Sequence, residues 1–277
     1  MTLSVRNNYF KGGMVLAFLS LGLVLAGGYF ASPAFPEAAA SAALRSRGIL
    51  HGLVGEFAGP SASVPFWTML GAVAYSFFGI IFIFYFFEKT SSPEILFIGF
   101  FVISLSLEFV RILIPLKRVF PFPAMYLITA SRILLFGRYF GLFSLFAASV
   151  YAAGLDIQKQ QSILFMTVLS ALVIALSVPV DNNLWDSTFV LSYGYSFMFN
   201  MVETGILAIT ILTFIISAYT RSSRPYMYIG IGSFLVYAGR NILLNSDTWI
   251  TPIPGLLILA AGTWLICTRL HRMYLWL

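Results

Sequence analysis

The chain has 277 residues, of which 60% are hydrophobic, 17% aromatic and only 9% charged. Soluble domains carry about 25% charged residues, so this composition excludes a water-exposed globular fold and points to a polytopic membrane protein. The net charge of +6 does not mark a nucleic-acid binder, because Lys and Arg flank apolar stretches in ones and twos and never form a polybasic run.

About 20 apolar residues cross the hydrocarbon core. Eight segments reach that length, near 13–31, 65–87, 95–116, 123–154, 163–180, 195–219, 226–243 and 254–270. The 12 prolines and 22 glycines gather toward segment ends, which fits helices better than the short alternating strands of a barrel. The expected fold is an all-α integral membrane bundle of eight transmembrane helices, forming one membrane domain over residues 1–277.

The first span follows a basic leader, and the small residues Ala31-Ser32-Pro33-Ala34 after it also suit a signal peptide. Cleavage there would leave seven spans. Residues 32–62 form the longest connection. Leu50, Val54 and Phe57 lie in it at helical spacing beside Arg45, Arg47 and Glu56, which fits an interfacial helix as well as a plain lid or spacer. Further on, Ser92-Pro93-Glu94 is a helix start for the third span, and Ser223-Arg224-Pro225 is one for the seventh. The fourth span carries Gly137, Gly141, Ser144, Ala148 and Ala152 near one face, a small-residue ridge on which helices can approach closely. Arg138 is expected to sit deeper and to reach for the opposite interface. A weak echo links Arg111-Ile112-Leu113 before Pro121-Phe122-Pro123 with Arg240-Asn241-Ile242-Leu243 before Pro252-Ile253-Pro254, as repeated hairpins would give.

Lys and Arg set the orientation. With the N-terminus inside, Arg6, Lys11, Lys89, Lys159, Arg221, Arg224, Arg269 and Arg272 face the cytoplasm, and Arg45, Arg47, Lys117 and Arg118 face outward. Both termini are therefore expected to be cytoplasmic. The sequence holds no Asn-x-Ser/Thr acceptor site, which fits a bacterial inner membrane.

Function is sought in the charges inside the spans, because an ionised group in a bilayer needs a partner or a purpose. These are Glu108, Arg111, Arg132, Glu203 and Arg240. Ser104, Glu108 and Arg111 share one helix face, as do Ser196, Asn200 and Glu203, and also Ser233, Tyr237 and Arg240. All three faces are expected to turn inward and to meet in the outer half of the bundle. Three arginines against two acids leave one positive charge over, and a guanidinium fork suits carboxylate or phosphate. The expected ligand-binding set is Glu108, Arg111, Arg132, Glu203, Arg240, Asn200 and Tyr237, holding a small anionic molecule or the anionic group of a lipid, or docking a partner subunit. Such a protein is a sensor or an accessory subunit, and it needs a protein partner because no soluble domain is legible. Two other readings use the same residues: ion pairs that only fix helix register, or a secondary transporter working through Glu/Arg exchange.

Chemistry has less support. Arginines beside both carboxylates favour their ionised forms and oppose a proton donor, and there is no HExxH, serine elbow or cofactor fingerprint. Cys267 lies alone in an apolar span, and His51 and His271 are far apart in sequence.

Overall fold

The computed structural model describes residues 2–32, 61, 63–88, 90, 92–186, 188–221, 223–246 and 248–275. Eight helices in it are long and apolar enough to cross a membrane. In chain order the helical elements are α1 (Leu3–Ala31), α2 (Val64–Phe87), a third span built of α3 (Pro93–Ser104), a 3-10 stretch (Leu105–Ile112) and α4 (Leu113–Val119), then α5 (Ala124–Ala152), α6 (Gln160–Ser177), α7 (Ser196–Thr220), α8 (Arg224–Leu244) and α9 (Pro252–Leu275). The interfacial helix expected between the first two spans falls on residues 33–60 and 62, outside those described.

Helix starts follow local chemistry. Ser92 Oγ accepts from the Ile95 N–H at 3.4 Å, with Pro93 and Glu94 in the first turn of α3. Pro179 ends the fifth span: the preceding Val178 is extended (φ −71, ψ 123), as residues before proline tend to be. That span therefore stops at Ser177 instead of near 180. The chain continues into an antiparallel hairpin, β1 (Val180–Trp185) and β2 (Leu191–Tyr193), where only a short connection was expected.

The third span is the axis of the bundle, with 89% of its apolar window buried against 22% for each of α6 and α7. It packs between α1, α2 and α5, while α7, α8 and α9 complete the ring back to α2. The small-residue ridge of α5 faces this axis: Gly137, Gly141, Ser144, Ala148 and Ala152 are all buried. A Cβ on Gly141 would collide with Ser104 Oγ, and one on Gly137 would lie 3.0 Å from Leu107 Cβ. A second close contact joins α8 to α9. A Cβ on Gly239 would lie 2.8 Å from Leu259 Cα, and one on Gly262 2.8 Å from the Val236 backbone nitrogen, so the two backbones touch.

Outward faces stay apolar. Phe18, Leu19, Phe165, Val173, Met201 and Ile209 are exposed, a surface that suits lipid contact better than water. At the end of the bundle where α1 begins, Arg6 Nη2 donates to the carbonyls of Phe87 at 2.7 Å and Glu88 at 2.8 Å, capping the C-terminus of α2.

Candidate functional site

The site begins with a local change of helix type. From Leu105 to Ile112 the third span winds as a 3-10 helix, far longer than the usual run of three or four residues. Pro115 lies just beyond it and has no N–H to offer the Arg111 carbonyl. At three residues per turn, positions i and i+3 eclipse, so Glu108 and Arg111 stand one above the other. Arg111 Nη1 lies 3.4 Å from Glu108 Oε2, and both side chains are buried.

Glu108 is held more firmly from α5. Arg138 donates from Nε to Glu108 Oε1 at 3.0 Å and from Nη2 to Oε2 at 3.3 Å, the two-pronged geometry of a strong charge-assisted pair. The remaining nitrogens of Arg111, Nε at 2.9 Å and Nη2, donate to the carbonyl of Thr188 at the tip of the β-hairpin. That tip is shaped by Asp186, whose Oδ1 accepts from the Thr188 N–H at 2.9 Å, the Thr188 hydroxyl at 2.8 Å and the Val190 N–H at 3.1 Å. Phe189, in left-handed backbone at φ 59, buries its ring against Ile114, Leu127 and Leu191. The hairpin is thus pinned to the third span by Arg111 and by an apolar plug.

Beside this core is a cavity of about 180 Å³ between α5, α7, α8 and β2, lined by Arg138, Tyr193, Asn200, Glu203, Thr204, Tyr237, Arg240, Asn241, Leu244 and Asn245. Its lining is polar except for Leu244, and it is roomy enough for several waters or a small organic ion. The Tyr237 hydroxyl donates to Glu203 Oε2 at 3.0 Å. Burial pushes the Tyr193 phenol above its ordinary value, against an opposite pull from Arg138, so at neutral pH it stays protonated and can donate. Arg240 is 3% exposed, and its Nη1 is buried without a hydrogen-bond partner among the described residues. Its guanidinium carbon lies 5.9 Å from the centre of the Tyr237 ring, within cation–π range.

Of the seven residues singled out in the sequence, Glu108 and Arg111 form the buried core, while Tyr237, Arg240, Glu203 and Asn200 line the cavity beside it. Arg132 does not join them. It is exposed on α5, and Arg138 takes the place expected of it. Six residues on an α-helix turn the chain by about 600°, so the two arginines point about 120° apart and only one can face Glu108. The third span continues to Val119, and its 3-10 stretch rises about 2 Å per residue instead of 1.5, which sets Glu108 deeper from the outer end than an α-helix ending near 116 would. Glu108 therefore lies within reach of Arg138. The α7 face also departs from expectation: Ser196 and Asn200 are exposed and Glu203 is half-buried, so this face opens onto the cavity and is not sealed inward. Arg138 stands next to Gly137 and three residues before Gly141, and its place on the ridge facing the third span is the signal that would have found it.

No family model matches the chain, and no curated protein matches its sequence.

Proposed function

We propose that this protein is a membrane-embedded recognition protein, a sensor or accessory subunit, that binds a small anionic or amphiphilic ligand in the polar cavity through Arg240. The unpartnered buried Nη1 of Arg240 carries this reading. A buried guanidinium without an acceptor costs the fold free energy, and a ligand carboxylate or phosphate would recover it. Glu108 engages Arg111 and Arg138, so three guanidinia stand against the two carboxylates Glu108 and Glu203, and among the described residues no carboxylate is bonded to Arg240. Asn200, Asn241, Tyr193 and Tyr237 supply further donors at the cavity wall.

In this reading the chain forms a single membrane domain with both termini cytoplasmic, in a bacterial inner membrane, and α1 counts as the first span. The hairpin and the cavity then face outward, and a ligand enters from that side. A protein partner carries the signal onward. Native mass spectrometry of protein gently purified from its own host tests this: a small bound mass is expected in the wild type and in Arg132→Gln, and is expected to be lost in Arg240→Gln. Retention of that mass in Arg240→Gln would sink the proposal.

The 3-10 stretch favours a second reading, secondary transport. It interrupts the third span where Glu108 and Arg111 sit, and interrupted helices are where transporters bind their cargo. Proteoliposomes should then show a flux that Glu203→Gln abolishes.

A further inference from the structure

We infer that the ligand of this cavity is a small zwitterion, which carries a primary ammonium and a carboxylate or phosphate on one molecule. This deepens the anion-binding reading and rests on it. Two opposite charges, Glu203 and Arg240, line the same cavity, yet among the described residues no hydrogen bond or ion pair joins them. The hydrogen bond found for Glu203 comes from the Tyr237 hydroxyl, and Arg240 lies beside the ring of that same tyrosine. Tyr237 thus interacts with both charges.

In surroundings of low dielectric, unlike charges lining one small cavity attract each other. Held apart, neither has a bonded counter-charge among the described residues. A simple anion would fill only half of the arrangement: it would satisfy Arg240 and place a second negative charge near Glu203. A simple amine would do the reverse. A molecule carrying both groups a few ångströms apart satisfies both residues and adds no net charge to the bundle.

The rest of the lining limits the ligand further. Asn200, Thr204 and Asn241 offer amide and hydroxyl contacts, and Leu244 alone is apolar. The cavity has no apolar wall for an aromatic or long aliphatic side chain. Two sources carry the required chemistry: a free α-amino acid with a small or polar side chain, and the ethanolamine phosphate head group of a lipid.

Calorimetry on the full chain in phosphatidylcholine nanodiscs decides the matter. The zwitterionic probes are glycine, L-serine and glycerophosphoethanolamine; the matched monoanions are acetate, 3-hydroxypropanoate and glycerophosphoglycerol. The expected result is that at least one zwitterion binds tenfold or more tighter than its matched anion, with serine against glycerophosphoethanolamine telling the two sources apart. In Glu203→Gln that preference should shrink to near onefold, and in Arg240→Gln both classes should be lost. Equal affinity within every pair in the wild type would overturn the zwitterion assignment and leave the anion-binding reading intact. Binding by neither class would overturn both. The comparison within the wild type needs no variant to fold, and melting curves of the two variants separate lost contacts from lost structure.

Discussion

Arg138 grips Glu108 with both prongs of its guanidinium, at 3.0 and 3.3 Å, and so fastens α5 to the 3-10 stretch of the third span. Arg111 binds the same carboxylate at 3.4 Å and passes on to the hairpin carbonyl of Thr188. One acid therefore ties together a helix, an overwound turn and a strand connection.

Removing the one acid of this group should cost more than removing the base on α5. Glu108→Gln leaves Arg111 and Arg138 side by side without a carboxylate, and breaking a buried pair so that a charge is left uncompensated costs about 3–5 kcal/mol. Arg138→Gln keeps the Glu108–Arg111 pair and should lose less than Glu108→Gln. Arg132→Gln, at an exposed position, should stay within about 0.5 kcal/mol of wild type. Thermal unfolding in one detergent ranks the three, and an Arg132→Gln loss equal to that of Arg138→Gln would refute the assignment.

The eight spans were legible because lipid demands about 20 apolar residues per crossing, and boundaries such as 195–219 fall close to the observed Ser196–Thr220. The first helix begins at Leu3, ten residues before the apolar run. Hydropathy cannot see a helix that continues through Arg6 and Asn7. The hairpin was hidden for another reason: its strands are short, and its tip is organised by the single side chain of Asp186. Helical periodicity identified six of the site residues that the structure gathers at Glu108 or around the cavity, but it presumes 3.6 residues per turn. The overwound stretch at Glu108 breaks that presumption, and Glu108 meets Arg138 instead of Arg132.

Arg240 should be a liability to stability in the absence of ligand. A buried charge without a partner destabilises the folded state, so Arg240→Met is expected to raise stability by about 1–3 kcal/mol, the usual cost of an unsatisfied buried polar group. Its melting temperature should rise while ligand binding is lost, the trade-off expected of a functional residue. A fall in melting temperature would mean that Arg240 is structural.

Glycines at helix contacts should differ in tolerance according to what faces them. At Gly239 a new Cβ meets the backbone of Leu259, which cannot step aside, whereas at Gly13 it meets the flexible end of Ile103. Gly239→Ala should therefore lose about 1–3 kcal/mol, as overpacking does, and Gly13→Ala clearly less. Urea or SDS unfolding of both variants measures the difference.

Loosening the hairpin tip should unfasten it from Arg111. Asp186→Ala deprives the Thr188 and Val190 N–H groups of their acceptor, at about 1 kcal/mol for each bond lost. Hydrogen exchange is expected to rise across β2 and the tip but not in α8 or α9. Unchanged exchange at the tip would show that the apolar plug around Phe189 holds the hairpin by itself.

The most direct test of an open ligand site is an experimental density map of the protein purified from its native membrane without added ligand. The account predicts non-protein density in the cavity, within hydrogen-bond distance of Arg240 Nη1 and next to Glu203. A direct Glu203–Arg240 ion pair with the cavity closed around it would contradict the account and make the buried charges purely structural.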